Sequence, residues 1–244
     1  MVAYTDIGTI TEVNLGTGQN GNTINIGVAR PGVSTSGNMM FAQLILAHDT
    51  SSGTGPPDWT LPSGWTQLTQ AYANTAGYWY IICYKVDSGS EPATFTWSYT
   101  ADTRYVYCNG VISEYTATNG TIDAFGMGTE STGTDKVAPS LTSNYTNSLM
   151  IVLAYEDNYS NSTCSGFTER YDNASFAPKI YDKAITTTGS TGTATVVSSA
   201  GNGYAVSILL LDTTPTGGSS GQPAMARHKG VPGLTARPAF GRGW

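Results

Sequence analysis

Two histidines, six glutamates and three cysteines are the residues of this chain best able to do chemistry, and their settings decide what they could do. His48 closes the apolar run MMFAQLILAH and is followed by Asp49. A catalytic triad needs an imidazole held by a carboxylate and facing a nucleophile. Neighbours along a strand point to opposite faces, so His48 and Asp49 read as the rim of a strand. His228 lies close to the C-terminus. Glycoside hydrolysis needs two facing carboxylates; Glu114 and Glu156 fall near strand ends, and no motif joins them. Glu156-Asp157-Asn158 is rich in oxygen ligands and could hold Ca²⁺, but it lacks the alternating spacing of a dedicated loop and reads as a solvated one. Zinc clusters of Cys and His, phosphate loops and dinucleotide fingerprints have no counterpart in the sequence. No catalytic, cofactor-binding or metal-ligating residue is assigned, and the chain is expected not to be an enzyme.

Aromatic residues are the other candidates. Trp59 and Trp65 lie in PPDWTLPSGW. Indole rings can stack on sugars, so Trp59 is a candidate glycan contact. Trp65 reads instead as core, because Ser63-Gly64-Trp65-Thr66 is echoed by Ser165-Gly166-Phe167-Thr168. Cys83, Cys108 and Cys164 form an odd set without CxxC spacing. Buried free thiols are expected, because free cysteine is among the most buried residue types.

The elements that must position these residues are strands. Charged residues make up 11 % of the 244 residues, and 29 Gly, 36 Thr and 15 Tyr favour strands and turns. Residues 39–47 and 78–86 are nearly continuous apolar runs, as in strands covered on both faces. In residues 94–100 (TFTWSYT), Phe95, Trp97 and Tyr99 alternate with small polar residues; residues 23–28 alternate likewise. Residues 104–115 form another run, in which Asn109-Gly110 suggests a bulge or bend.

The second half repeats the first in order. Residues 38–49 are echoed by 147–157, Tyr84-Lys85-Val86 weakly by 181–184, and 94–115 by 193–212. The fold class expected is all-β, a β-sandwich of jelly-roll or Greek-key type built from an internal duplication, with an extended C-terminal arm. Residues 1–116 and 117–212 would be the two repeats, merged into one sandwich or standing as two. Residues 213–222 would be a flexible linker and 223–244 a basic docking arm.

Charge divides along the same line. Residues 1–212 carry seven bases against seventeen acids, a net of −10, and residues 213–244 carry four bases and no acid. An acidic body argues against nucleic acid as partner. No apolar run approaches the length of a membrane span, and the N-terminal residues do not read as a signal peptide. In the arm, Arg227, Lys229, Arg237 and Arg242 offer attraction to an acidic surface, and Leu234, Phe240 and Trp244 offer burial in a partner's pockets.

The succession of an apolar strand, residues 62–66 (PSGWT), Tyr84-Lys85-Val86, residues 94–98 (TFTWS) and residues 111–124 (VISEYTATNGTIDA), then a degenerate second copy, resembles a family of tailed-bacteriophage virion proteins. The likeness covers residues 20–212; Tyr115-Thr116-Ala117 stands where the family has Tyr-Arg-Gly. It implies a virion structural protein without catalytic residues: a capsid decoration or head-fibre protein held by its arm, or alternatively a tail-associated receptor- or carbohydrate-binding module. The partners implied are other virion proteins (a major capsid or tail protein), further copies of the chain in a possible trimer, and a host surface glycan. Neither nucleic acid nor membrane insertion is expected. The location implied is the virion surface, after synthesis in the host cytoplasm.

Overall fold

A computed structural model describes residues 2–8, 11–14, 23–32, 35–48, 59–73, 77–100, 105–116, 121–157, 160–172, 178–199 and 201–211. These residues form strands and connections and no helix. The first half supplies β1 (Ala3–Ile7), β2 (Thr11–Asn14), β3 (Thr23–Ala29), β4 (Met39–His48), β5 (Trp59–Thr60), β6 (Thr66–Ala73), β7 (Tyr78–Val86), β8 (Thr94–Thr100) and β9 (Tyr105–Thr116). The second supplies β10 (Ile122–Met127), β11 (Asp135–Ala138), β12 (Thr142–Ser143), β13 (Ser148–Glu156), β14 (Thr163–Cys164), β15 (Thr168–Asp172), β16 (Pro178–Ile185), β17 (Gly189–Ser190), β18 (Ala194–Val197) and β19 (Gly203–Leu211).

Each half is a sandwich of a large and a small antiparallel sheet. The first large sheet runs β1-β9-β4-β7-β6, with β2 also on β9, and its small sheet runs β3-β8-β5. The second large sheet runs β10-β19-β13-β16-β15 and its small sheet β11-β18-β14. β12 and β17 form a separate two-stranded ribbon. Within each half the pairs nest: the first strand lies on the last, the next pair lies in the opposite sheet, and the innermost pair returns to the large sheet, with the β12–β17 ribbon interposed in the second half. This nesting is the path of a jelly roll, a long hairpin rolled on itself. The two halves follow one strand order.

The large sheets pack against each other, so the molecule has four layers, small-large-large-small. Alternation along the central strands makes this possible. Met39, Phe41 and Ile45 of β4 meet Leu149, Ile151, Leu153 and Tyr155 of β13 in the middle layer. The intervening Met40, Ala42, Leu44 and Leu46 face Ile26, Val28, Phe95 and Trp97 of the first small sheet. Met150, Val152 and Ala154 face Ala194 and Val196 of the second. Both faces of the central strands β4, β13 and β19 are therefore dry, which is what the unbroken apolar runs anticipate. Across the middle seam the Tyr204 hydroxyl donates to the carbonyl of Tyr72 at 2.8 Å and the Tyr80 and Tyr155 rings stack at 5.8 Å; within the first large sheet, the Tyr80 hydroxyl donates to Gln43 Oε1 at 2.9 Å.

Turn chemistry repeats between the halves. The amide of Trp65 donates to the carbonyl of Pro62, and that of Phe167 to Cys164, both at 3.1 Å. Gly64 and Gly166 take φ of +80° and +78° in these turns, the left-handed conformation that a type II turn requires at its third position. Trp65 packs edge-on against Phe95 and Trp97 at 5.1 Å, as its core reading anticipates. The thiols of Cys83, Cys108 and Cys164 are free and buried, as expected.

Two expectations are corrected. β9 passes through Asn109-Gly110 without a break in register against β4. Gly110 is there for space, because a Cβ on it would lie 2.6 Å from Val28 Cγ2. The echoes are also displaced from their apparent alignment. Thr66 pairs with Tyr84, and Thr168 with Asp182, so Tyr84-Lys85-Val86 corresponds to Asp182-Lys183-Ala184. Matching of the buried faces likewise sets Met39 against Leu149, one residue beyond the match that Asn38 and Asn147 suggest.

Candidate functional site

The densest polar constellation among the described residues lies at one end of the second sandwich. β11 reverses the usual alternation: Val137 is exposed, and Lys136 turns inward at 1 % exposure. Its ammonium donates to the carbonyl of Gly133 at 2.7 Å and to Ser198 Oγ at 3.4 Å. Burial pushes this amine below its ordinary value, against the pull of Glu156, Asp157 and Asp135. Lys136 Nζ stands 4.0 Å from Glu156 Oε2. Glu156 ends β13, and its Oε1 accepts from the hydroxyl of Ser160 at 2.9 Å.

Lys179, at the start of β16, shares Glu156. Its Nζ lies 3.7 Å from Glu156 Oε1, donates to the carbonyl of Ser160 at 2.6 Å, and contacts Asp172 Oδ1. Asp172 and Lys179 are direct cross-strand partners on β15 and β16. Asp172 Oδ2 accepts from both the amide and the hydroxyl of Ser162, and that hydroxyl also meets the Tyr181 hydroxyl at 2.6 Å. Lys179 is fully buried and Ser162 nearly so. The constellation thus combines two amines, two carboxylates and a serine with its own amide, with the ionic side chains held away from water.

The first half has a smaller polar centre. Glu114 on β9 is buried; its Oε1 accepts from Asn38 Nδ2 at 2.6 Å and from the Thr35 amide at 3.4 Å, while Oε2 has no hydrogen-bond partner among the described residues. Burial raises this carboxyl above its ordinary value despite those two donors, and Asp87 and Asp6 push the same way. Glu91 is shifted oppositely. Burial would raise it, but the hydrogen bond from Lys85 at 2.7 Å and the amide of Ser88 hold it below the usual carboxylate range.

Glu156 and Asp157 have separate partners. Asp157 accepts from the backbone and the side-chain amide of Asn202, both at 2.7 Å, while Glu156 turns toward the lysines. Among the described residues no group of three His, Cys, Asp or Glu side chains is placed to hold a metal ion. Glu114 and Glu156 belong to opposite sandwiches. Trp59 on β5 is half-buried and packs at 4.9 Å on Tyr99; its indole nitrogen is buried without an acceptor among the described residues. His48 ends β4. Arg227, Lys229, Leu234, Arg237, Phe240, Arg242, Trp244 and His228 lie outside the described residues. Alternation could not reveal the lysine constellation, because in DKVA it would turn Val137 inward. The available signal was weak: Lys136 stands beside Val137 and Ala138 in β11, and Lys179 stands between Pro178 and Ile180 at the start of β16.

Compared with known proteins, the chain matches no family model, no curated protein and no solved structure.

Proposed function

We propose that the chain is a non-enzymatic structural protein of a bacteriophage virion, a capsid decoration or head-fibre protein whose two sandwiches are copies of one unit and whose C-terminal arm docks it on the particle. The observation that carries this reading is the partition of the chain. Residues 1–212 bear a net charge of −10, and most of their large apolar side chains among the described residues are buried in their own layers, while residues 213–244 bear +4 and carry Leu234, Phe240 and Trp244. Fully burying one such side chain contributes about 1.5–3 kcal/mol, whereas a surface ion pair contributes about 0–1 kcal/mol. Trp244 and Phe240 therefore hold the arm more firmly than its arginines do. Many copies on one particle add avidity, and docking of the arm on a sister subunit's acidic body would give an oligomer such as a trimer. The motif order shared with tailed-phage virion proteins supports the same reading.

The test compares full-length protein with a 1–212 truncation for binding to particles that lack it. Full-length protein binds and the truncation does not; a truncation that still decorates particles overturns the docking arm. Gold-labelled antibody over the whole shell supports decoration. Label confined to one pole places the protein on the tail and favours the receptor- or glycan-binding alternative. Trp59 is half-buried with its ring against Tyr99, so that alternative would use the part of the ring left exposed.

A further inference from the structure

We propose that Lys179 and Asp172 condense into an amide, an internal cross-link formed by the protein itself with Glu156 as proton carrier. The reacting groups lie opposite each other on adjacent strands, and Lys179 Nζ contacts Asp172 Oδ1. The side chain of Lys179 is 1 % exposed, and those of Asp172 and Glu156 are 4 % and 3 %. Water is a product of the condensation and is excluded there, so the amide, once formed, is protected from hydrolysis. Burying an ammonium and carboxylates is costly even when they are paired, and an amide removes two of these charges.

Each neighbour has a part in the step. Glu156, 3.7 Å from Lys179 Nζ, takes a proton from the ammonium and frees the amine's lone pair. The nitrogen attacks Asp172 Cγ, forming the N–C bond. Charge gathers on Oδ2, where the amide and hydroxyl of Ser162 already donate, the arrangement that stabilises a developing oxyanion. The C–Oδ1 bond then breaks. Two of the three ammonium protons, carried through Glu156, leave with that oxygen as water, and the third stays on the amide nitrogen. Atoms and charge balance with no oxidant or co-reactant. The Tyr181 hydroxyl fixes Ser162, and Lys136 keeps Glu156 facing the reaction from its other side. The step is independent of where the protein resides.

Intact-mass spectrometry of the denatured full-length chain tests the proposal. The expected mass is one water below that of the sequence. Trypsin is expected to cut after Arg170 and Lys183 but not after Lys179, leaving residues 171–183 as one looped peptide lighter by one water. The missing cut distinguishes a Lys179 amide from an internal succinimide at Asp172, which leaves the lysine free. A chain of full sequence mass that trypsin cuts after Lys179 overturns the proposal. Glu156→Gln, shown to be folded by circular dichroism, is expected at full sequence mass. If it too lacks a water, the role given to Glu156 fails.

Discussion

At the scale of single residues, the two shifted glutamates act on stability in opposite directions. Glu114 binds its proton more tightly in the folded chain than in the unfolded one, because burial opposes its charge. Below the ordinary carboxylate value, near about 4.3, both states are protonated and nothing is lost. As pH rises from there through the raised folded value, the unfolded state releases its proton first and stability falls. Glu114→Gln keeps the oxygen that accepts from Asn38 and removes the charge. It is expected to raise the Tm by about 2–4 °C at pH 7, for a gain of about 1 kcal/mol, and to change nothing at pH 3. Thermal unfolding followed at both pH values checks this. Glu91 runs the other way: its folded value is lowered, so its contribution is present above the ordinary carboxylate value and is lost as pH falls through the lowered one. None of this was legible in the sequence. Glu114 in GVISEYT looks like the polar face of an alternating strand, and only the burial of β9 in the interior of its sandwich makes it costly.

At the scale of elements, much was legible, because the strands announce themselves by period. β4, β7 and β8 fall where the apolar runs and the Phe-Trp-Tyr alternation put them. Gly110 was misread because a glycine inside a strand pattern has two causes, a bulge or a close approach, and sequence does not separate them. In the structure the small sheet presses Val28 against the gap above Gly110. Gly110→Ala is expected to cost about 1–3 kcal/mol by overpacking, read from urea unfolding, and Val28→Ala in the same chain is expected to recover part of it. An additive loss in the double variant would refute the close-approach reading. The one-residue offset between the halves was hidden for a related reason: repeated Asn before an apolar run looks like alignment, whereas hydrogen-bond register and buried faces decide it. Gly37 and Asn147, both at positive φ, mark the true correspondence.

At the scale of the whole molecule, the middle seam makes each half incomplete. Residues 1–116 alone would expose Phe41, Ile45, Tyr80, Ile82 and Val111, all buried against the second large sheet, on a patch of the kind that drives association. That fragment is expected to aggregate or to bind a hydrophobic dye strongly, and to become soluble when co-expressed with residues 121–211. A monomeric, dye-silent 1–116 fragment would show that the seam is dispensable. Sequence could present the two strand sets but not their arrangement, because an apolar strand reads alike whether its second face meets its own small sheet or a neighbouring sandwich.

The seam also sets a timetable for biosynthesis. β19, the last strand among the described residues, lies between β10 and β13, so the second large sheet stays open until residue 211 has left the ribosome. At roughly 5–20 residues per second, the finished first half waits on the order of ten seconds with its inner face uncovered. Molecules emerging together on one polysome can meet through those faces during that interval, so codon choice across residues 117–211 sets the yield of correctly paired halves.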